Sequence, residues 1–344
     1  MISDLQRSPH FLAAPAVVAL SISLAGCGGG SAPVASAPQV APVVYKDPSS
    51  KFSAFIGSFT SEGLATRLIA DVTIDADSNV TLDAFQLPTK PARATFTTTT
   101  SEDTSSQSDP KTQNITTTSN EMGSTLGVKG GIVKNSADLY KEGGESEDGD
   151  FVGFTNELTS SLGTKALSYA YVGMGVKGTY VQTGSTGRSD GYVFAVFGGQ
   201  KTADMPTAGS AVYEGAFKGI ELELKVGAPA SDLVDLDGSV ALNANFGSKA
   251  ITGRIDNIRD SSSTNARDYS IGLNGAISGN QFTGTAVLTQ KNSNTSLSGA
   301  NEGVMTGGFF GPTAIEAAGA LTVKAGSAPD STRSITGVFG ATKK

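Results

Sequence analysis

Val240-Ala-Leu242-Asn-Ala244-Asn-Phe246 alternates apolar residues with small or polar ones at every step. A period of two sends successive side chains to opposite faces of an extended chain, so one face meets a core and the other meets water. The same beat recurs on both sides of this stretch. Upstream it is carried by Leu167–Gly173, Gly191–Phe197 and Ala211–Phe217. Downstream it continues through Ile251–Ile255, Tyr269–Leu273, Phe282–Val287, Gly303–Phe310, Gly319–Val323 and Ile335–Phe339. Roughly eight to ten short antiparallel strands at spacings of about 8–12 residues predict a closed up-and-down barrel. The composition agrees. The chain has 43 Gly and no Trp, and it is rich in Thr, Ser, Val and Ala. Glycines inside strands suit barrel corners and bulges.

A second, weaker β-rich region precedes this one. Phe52–Ile56 and Leu68–Ile74 have strand character, and Asn79–Phe85 follows a turn at Asp75–Asn79, which predicts a hairpin. Residues 95–120 are dominated by Thr, Ser, Asp and Gln and read as exposed strands with a disordered tip. Phe151–Ser161 has room for a short helix. The acidic run Glu142–Asp150 reads as a solvated connector, because its spacing does not fit an EF-hand calcium loop. The expected architecture is all-β: a smaller β-rich domain over residues 51–163, then an antiparallel barrel of about eight strands over residues 164–344.

The beginning of the chain is read as targeting signal. Residues 1–10 are polar, with Arg7 as the clear positive charge, and Phe11–Leu24 is apolar but shorter than the ~20 residues a bilayer span requires. Leu24-Ala25-Gly26-Cys27 resembles a bacterial lipobox, in which the cysteine is acylated and becomes the first mature residue. The competing reading is an ordinary signal with an incidental cysteine. Cys27 is the only cysteine and stands at the one position that matters, which favours lipidation. Residues 28–50 (Gly, Ser, Ala and Pro) cannot bury a core and read as a flexible tether. The expected organisation is therefore a signal at 1–26 and a lipidated Cys27 with tether at 27–50.

Several function classes are excluded by what the chain lacks. Its single histidine, His10, leaves with the signal, so the mature protein has no imidazole for Ser-His-Asp chemistry or for a His-ligated zinc or haem. With one cysteine there is no internal disulfide. The formal charge is −7, and removing Arg7 and Asp4 together leaves it at −7, so there is no general attraction for nucleic acid. Gly173-Met-Gly175-Val-Lys-Gly178 satisfies the dinucleotide spacing but leads into Thr-Tyr-Val-Gln and not a helix. Gly198-Gly-Gln-Lys-Thr lacks phosphate-loop spacing, and Ser108-Asp-Pro-Lys111 sits in a polar tract. Asp235-Leu-Asp237-Gly238 could touch a cation but reads first as a turn. Tyr169, Tyr171, Tyr192, Tyr213 and Tyr269 fall on expected strands; tyrosine can ligate haem iron, yet packing is the commoner role. The sequons at Asn79, Asn114 and Asn294 read as turn chemistry. No enzyme, cofactor or metal is expected.

One family resemblance gathers these pieces. Leu167–Gly173, the run Phe197-Gly198-Gly199 … Met205-Pro206 … Gly209 … Tyr213-Glu-Gly215, then Phe246–Ile255, and finally Gly308-Phe309-Phe310-Gly311-Pro312 with Gly337–Lys343 resemble the barrel of transferrin-binding protein B-like surface lipoproteins. The resemblance spans Leu167 to the end of the chain, and by analogy residues 52–161 would be the "handle" domain that precedes that barrel. The motif residues Gly198, Gly199, Met205, Pro206, Gly209, Tyr213, Gly308, Phe310, Gly311 and Pro312 carry a structural explanation, since Met-Pro and Gly-Pro before a strand make turns. They identify a fold and not a ligand. The resemblance implies a lipid-anchored outer-membrane protein, facing the cell surface, that binds a solute or host protein. Iron or haem acquisition with a TonB-dependent receptor is the first reading. Adhesion or complement evasion without transported cargo is the second. The chain has room for one lobe only, which departs from the two-lobed transferrin binders.

Overall fold

A computed structural model describes residues 16–17, 44–45, 57–76, 79–87, 91–102, 113–119, 125–128, 151–155, 157–160, 163–228, 233–261, 265–291, 295–296, 300–328 and 331–344. Cys27, most of the signal and tether, Phe52–Ile56, the acidic run 142–150, Ser108–Lys111, Asn294 and the tip of the Thr-rich segment lie outside the described residues. Within them, a pair of two-residue strands comes first, β1 (Ala16–Val17) with β2 (Val44–Tyr45).

The Val240–Phe246 alternation holds residue by residue: Val240, Leu242, Ala244 and Phe246 are buried, and Ala241, Asn243 and Asn245 are exposed. This stretch is the end of β14 (Val234–Asn245) and the turn after it. With β13 (Ser210–Lys225), β15 (Ala250–Asp260), β16 (Tyr269–Ser278), β17 (Gln281–Gln290), β18 (Ala300–Phe310), β19 (Glu316–Ala328) and β20 (Ser331–Lys343) it forms a closed antiparallel barrel in sequence order. Closure is made by β13 against β20, from Tyr213↔Lys343 to Lys225↔Ser331. Eight strands leave an interior just wide enough for side chains to fill. Here Tyr213, Phe217, Phe246, Tyr269, Phe282, Phe309 and Phe339 fill it together with aliphatic residues. Phe309 is central, with ring centroids 5.3 Å from Phe282, 5.6 Å from Phe246 and 5.8 Å from Tyr213.

A second sheet comprises β3 (Gly57–Ile74), β4 (Val80–Gln86), β5 (Ala92–Glu102), β6 (Gln113–Ser119), β7 (Thr125–Val128), β8 (Phe151–Thr155), β11 (Ala170–Thr183) and β12 (Thr186–Gly199). Its order is β7-β6-β5-β3-β12-β11-β8, with β4 paired to β3. The expected hairpin is present as β3–β4: Asp75 accepts from the Asn79 backbone N–H at 2.8 Å and fixes the turn. The Thr-rich segment supplies the paired strands β5 and β6.

Three expectations are corrected. Leu167–Gly173 and Gly191–Phe197 were expected inside the barrel, but β11 and β12 pair with each other and with β8 and β3, and the barrel's first strand begins at Ser210. Alternation marks a strand without saying which neighbour it pairs with. The described residues of 151–161 contain no helix; they form β8 and β9 (Glu157–Ser160), the latter in a hairpin with β10 (Gly163–Ala166). Asp235-Leu-Asp237-Gly238 is not a turn but part of β14, irregular between Asp237 and Ser239, where the pairing with β15 shifts register.

The sheet packs on the outside of the barrel wall. Leu64, Val172, Met174, Ala195 and Phe197 of the sheet, with Leu158 of the β9–β10 hairpin, meet Ala216, Ile220, Phe310, Ala318, Ala320 and Val338. Alanines on the wall let the two layers approach closely. Away from the sheet, the wall turns Asn243, Asn245, Thr252, Arg254, Asp256 and Asn274 outward. Polar outside and aromatic inside is the reverse of a membrane-spanning barrel, where Arg at the bilayer midplane costs ~2–4 kcal/mol. Among the described residues no helix is long and apolar enough to cross a membrane.

Candidate functional site

The two ends of the barrel are built differently. At one end the connections are short: residues 246–249, 279–280 and 311–315. The lead-in segment 200–209 crosses this end and seals it. Thr202 donates its backbone N–H to Phe309 O at 2.9 Å and its hydroxyl to Gly311 O at 2.7 Å, and Gly311 donates back to Gln200 O at 2.9 Å. Asn280 donates its side-chain amide to Thr202 O at 3.0 Å. Glu316 is almost fully buried here. Its carboxylate accepts the backbone N–H groups of Ser168, Tyr169 and Ala170 at 2.6, 2.8 and 3.0 Å, tying the start of β11 to the barrel. Burial pushes this carboxyl up and the three donors oppose it, with burial the larger effect.

The motif residues gather at this sealed end. Gly198 and Gly199 close β12, and Gly199 takes φ 137°; a Cβ there would lie 2.1 Å from Tyr169 O. Met205 packs against the barrel core, Pro206 is half-buried beside it, and Gly209 O accepts the Phe246 N–H at 2.9 Å. Tyr213 donates its hydroxyl to Ala314 O at 2.6 Å. Gly308 pairs with Ala318, and Phe310 stands edge-on to Phe197 at 6.5 Å. Gly311 takes φ 72°, with Tyr169 where a side chain would go, and Pro312 opens a 3-10 turn whose Thr313 and Ala314 both have left-handed φ. Every one of these positions serves a turn, a close approach or the seal.

The tyrosines considered for haem are engaged elsewhere. Tyr171 donates to Thr60 O at 3.1 Å, Tyr213 to Ala314 O, and Tyr269 to Glu221 Oε1 at 2.9 Å. Burial pushes Tyr171 up to about 12 and raises Tyr213 and Tyr269 as well, away from the phenolate that iron would want. Tyr192 lies under the Arg67 guanidinium on the sheet, 5.8 Å from ring centroid to Arg67 Cζ. Tyr169 is half-buried against the sheet–barrel core.

The opposite end carries connections 226–233, 261–268, 291–299 and 329–330. Sequence reading missed what lies beneath them. Glu221 on β13, buried, accepts from Tyr269 and meets Arg267 Nη2 at 2.5 Å through its other oxygen. Arg333 Nε stands 2.9 Å from Oε1 without pointing at it, and its guanidinium lies over the Tyr269 ring at 5.1 Å. Glu221 thus holds the bases of three strands, β13, β16 and β20, and of the loop before β16. The second sheet joins this end. Leu82 of β4 donates to Ala228 O at 3.0 Å and accepts from the Gly227 N–H at 2.7 Å, so the 226–233 loop is hydrogen-bonded to the sheet. Since Leu82 pairs with Val72, and Val72 with Gly187, the sheet's turns at 75–79 and 184–185 lie on the same side. Two of the largest exposed apolar side chains stand on this face, Val181 (64% exposed) near the β11–β12 tip and Leu233 (39%) in the barrel loop. Among the described residues no group of three or more His, Cys, Asp or Glu could hold a metal ion.

The fold is a closed, aromatic-filled eight-stranded barrel with a companion sheet on its wall, short connections at one end and a face of loops at the other. More narrowly, residues 205–343 match the family described as the C-lobe and N-lobe beta barrels of Tf-binding protein B. The chain is also similar to a solved structure described as a surface lipoprotein, at 16% identity over 81% of this chain and 98% of that one, with a TM-score of 0.35. A mutant of transferrin-binding protein B from Actinobacillus pleuropneumoniae is similar at 16% identity over 81% and 99% of the two chains, TM-score 0.32. The isotype 1 transferrin-binding protein B of Neisseria meningitidis is similar at 13% identity over 84% and 77%, TM-score 0.31. None of the curated proteins matches.

Proposed function

We infer that this chain is an exported surface lipoprotein, lipidated at Cys27 and held on the 28–50 tether, that binds a host protein through the loop face of its barrel and second sheet. The carrying observation is the family match of residues 205–343, whose named relatives bind transferrin, on a barrel with one sealed end and one loop-bearing end. Binding and not catalysis is the role of that family. The cargo reading is iron acquisition: an iron-carrying host protein, or haem, captured at the surface and passed to an outer-membrane receptor. The filled interior supports capture on the surface rather than within the barrel.

The test is retention from serum on the immobilised mature chain, with haem titrated separately. Retention of an iron-carrying protein, reduced by Leu233→Asp, is expected. If haem and every serum protein passed through unbound, the proposal would fail; if only complement regulators were retained, the evasion reading would replace iron acquisition. Anchoring is tested by radiolabelled palmitate incorporation in cells, which Cys27→Ala should abolish.

A further inference from the structure

Glu221 is one buried carboxylate shared by two guanidiniums, with the exposed Glu223 at the far edge of Arg333. Arginine presents five N–H donors in a planar fork. Between them, Arg267 and Arg333 meet Glu221 through one nitrogen each, and Arg333 reaches Glu223 only at 3.7 Å. The Nε groups of both arginines are buried without an aligned acceptor, Arg333 Nε being the atom that stands 2.9 Å from Glu221, so it is the outer Nη edges of the two forks that face the solvent. The two side chains keep 25% and 27% of their surface exposed, while Glu221 beneath them keeps 3%. Arg333 Cζ lies 5.1 Å over the Tyr269 ring, and Tyr269 donates its hydroxyl to Glu221. The result is a pair of ordered, partly desolvated guanidiniums on the loop face, with the acid that neutralises them tucked underneath.

We propose that Arg267 and Arg333 form an acceptor for a carboxylate of the bound protein, an acidic side chain that docks between the two forks and shares them with Glu221. This rests on the loop face being the binding face. Bidentate guanidinium–carboxylate pairing supplies both strength and orientation, which an ammonium would not. The site is rigid before the ligand arrives, because Glu221 and the Tyr269 ring fix the arginines, so docking immobilises little of the protein.

The test uses the whole mature chain and acetyl-tetraglutamate as probe, with acetyl-tetraglutamine as its neutral counterpart, at fixed ionic strength by calorimetry. Wild type should bind the acidic peptide and not the neutral one. Arg333→Gln and Arg267→Gln should each weaken binding about tenfold. Glu221→Gln removes the internal competitor, and its amide oxygen still accepts from Tyr269; this variant should tighten binding roughly threefold to tenfold. A merely structural hub predicts the opposite sign, since loosening it would weaken binding. Circular dichroism on each variant confirms folding, and Arg333→Lys, retaining charge but losing the fork, serves where Arg333→Gln does not fold and should still weaken binding. Equal affinity for both peptides, or weaker binding in a folded Glu221→Gln, overturns the proposal. Should the acidic peptide fail while serum retention persists and remains sensitive to Leu233→Asp, the acceptor is wrong and the loop face stands; loss of both removes the face itself.

Discussion

The sealed end and the loop end of one barrel solve opposite problems. At the sealed end, backbone groups of residues 200–209 and 309–315 bond one another, and glycines at positive φ take the tight approaches. At the loop end the strands are held by a buried charge, Glu221 under Arg267 and Arg333, and three of the four connections above it are longer, the exception being residues 329–330. Backbone closure fixes a fold and tolerates little change. A side-chain hub leaves the loops above it free to vary in sequence while their bases stay in place. The packing and backbone seal are concentrated at one end, and the surface proposed for recognition lies at the other.

The comparison breaks first in stability. Phe309 touches three other rings at the sealed end, and Phe309→Ala should cost about 3–5 kcal/mol, read as the shift in urea midpoint at unchanged slope. A loss under about 1 kcal/mol would mean the sealed end is not where packing is concentrated. Glu316→Gln comes next. It replaces one of the two accepting oxygens by an NH2 group and leaves at least one of the three backbone N–H groups without an acceptor, which should cost about 1–3 kcal/mol, together with faster hydrogen exchange at Ser168, Tyr169 and Ala170.

How much of this was legible follows the same division. The alternation over Val240–Phe246 revealed the strands because side-chain period is a local property, and Gly199, Gly209 and Gly311 stood out because turn chemistry is local too. The assignment of Leu167–Phe197 to the barrel failed for the complementary reason: β11 and β12 have the same pattern as barrel strands, and only tertiary pairing sends them to the second sheet. The hub was invisible. Glu221, Arg267 and Arg333 sit on separate strands and loops with no shared motif, so nothing short of the folded barrel brings them together. Asp235-Leu-Asp237-Gly238 read as a turn because Asp and Gly favour turns, while the structure keeps Asp237 in a strand by pairing it with Lys218.

A pH series sharpens the contrast at smaller scale. Asp235, at the loop end of β14, is pushed up to about 7 by burial and by its neighbours Asp260 and Asp237, against 3.8 unperturbed, with Lys218 opposing. The folded state therefore holds a proton that the unfolded chain has released. This contribution to stability is fully present below about pH 4 and is lost as pH rises to about 7. Asp235→Asn should flatten that slope and raise stability at pH 8 by about 1 kcal/mol after allowance for screening by nearby water. Urea midpoints at pH 4, 6 and 8 give the answer, and an unchanged slope in the variant would assign the effect elsewhere.

The smallest effect on stability should accompany a large effect on recognition. Leu233 is 39% exposed on the 226–233 loop, and the Leu82 bonds to Gly227 and Ala228 hold that loop from the sheet side without using its side chain. An exposed apolar side chain contributes little to the fold, and surface substitutions of this kind fall within about 0.5 kcal/mol. An interface that desolvates the same side chain depends on it, because a charge buried there would be left unpaired. Leu233→Asp should leave the urea midpoint unmoved while serum retention falls at least about tenfold. Val212, 42% exposed on the outer face of β13 at the sealed end, supplies the control, since Val212→Asp should change neither quantity. If Val212→Asp reduced retention as much as Leu233→Asp, recognition would not be confined to the loop end, and the division of labour between the two ends would be refuted.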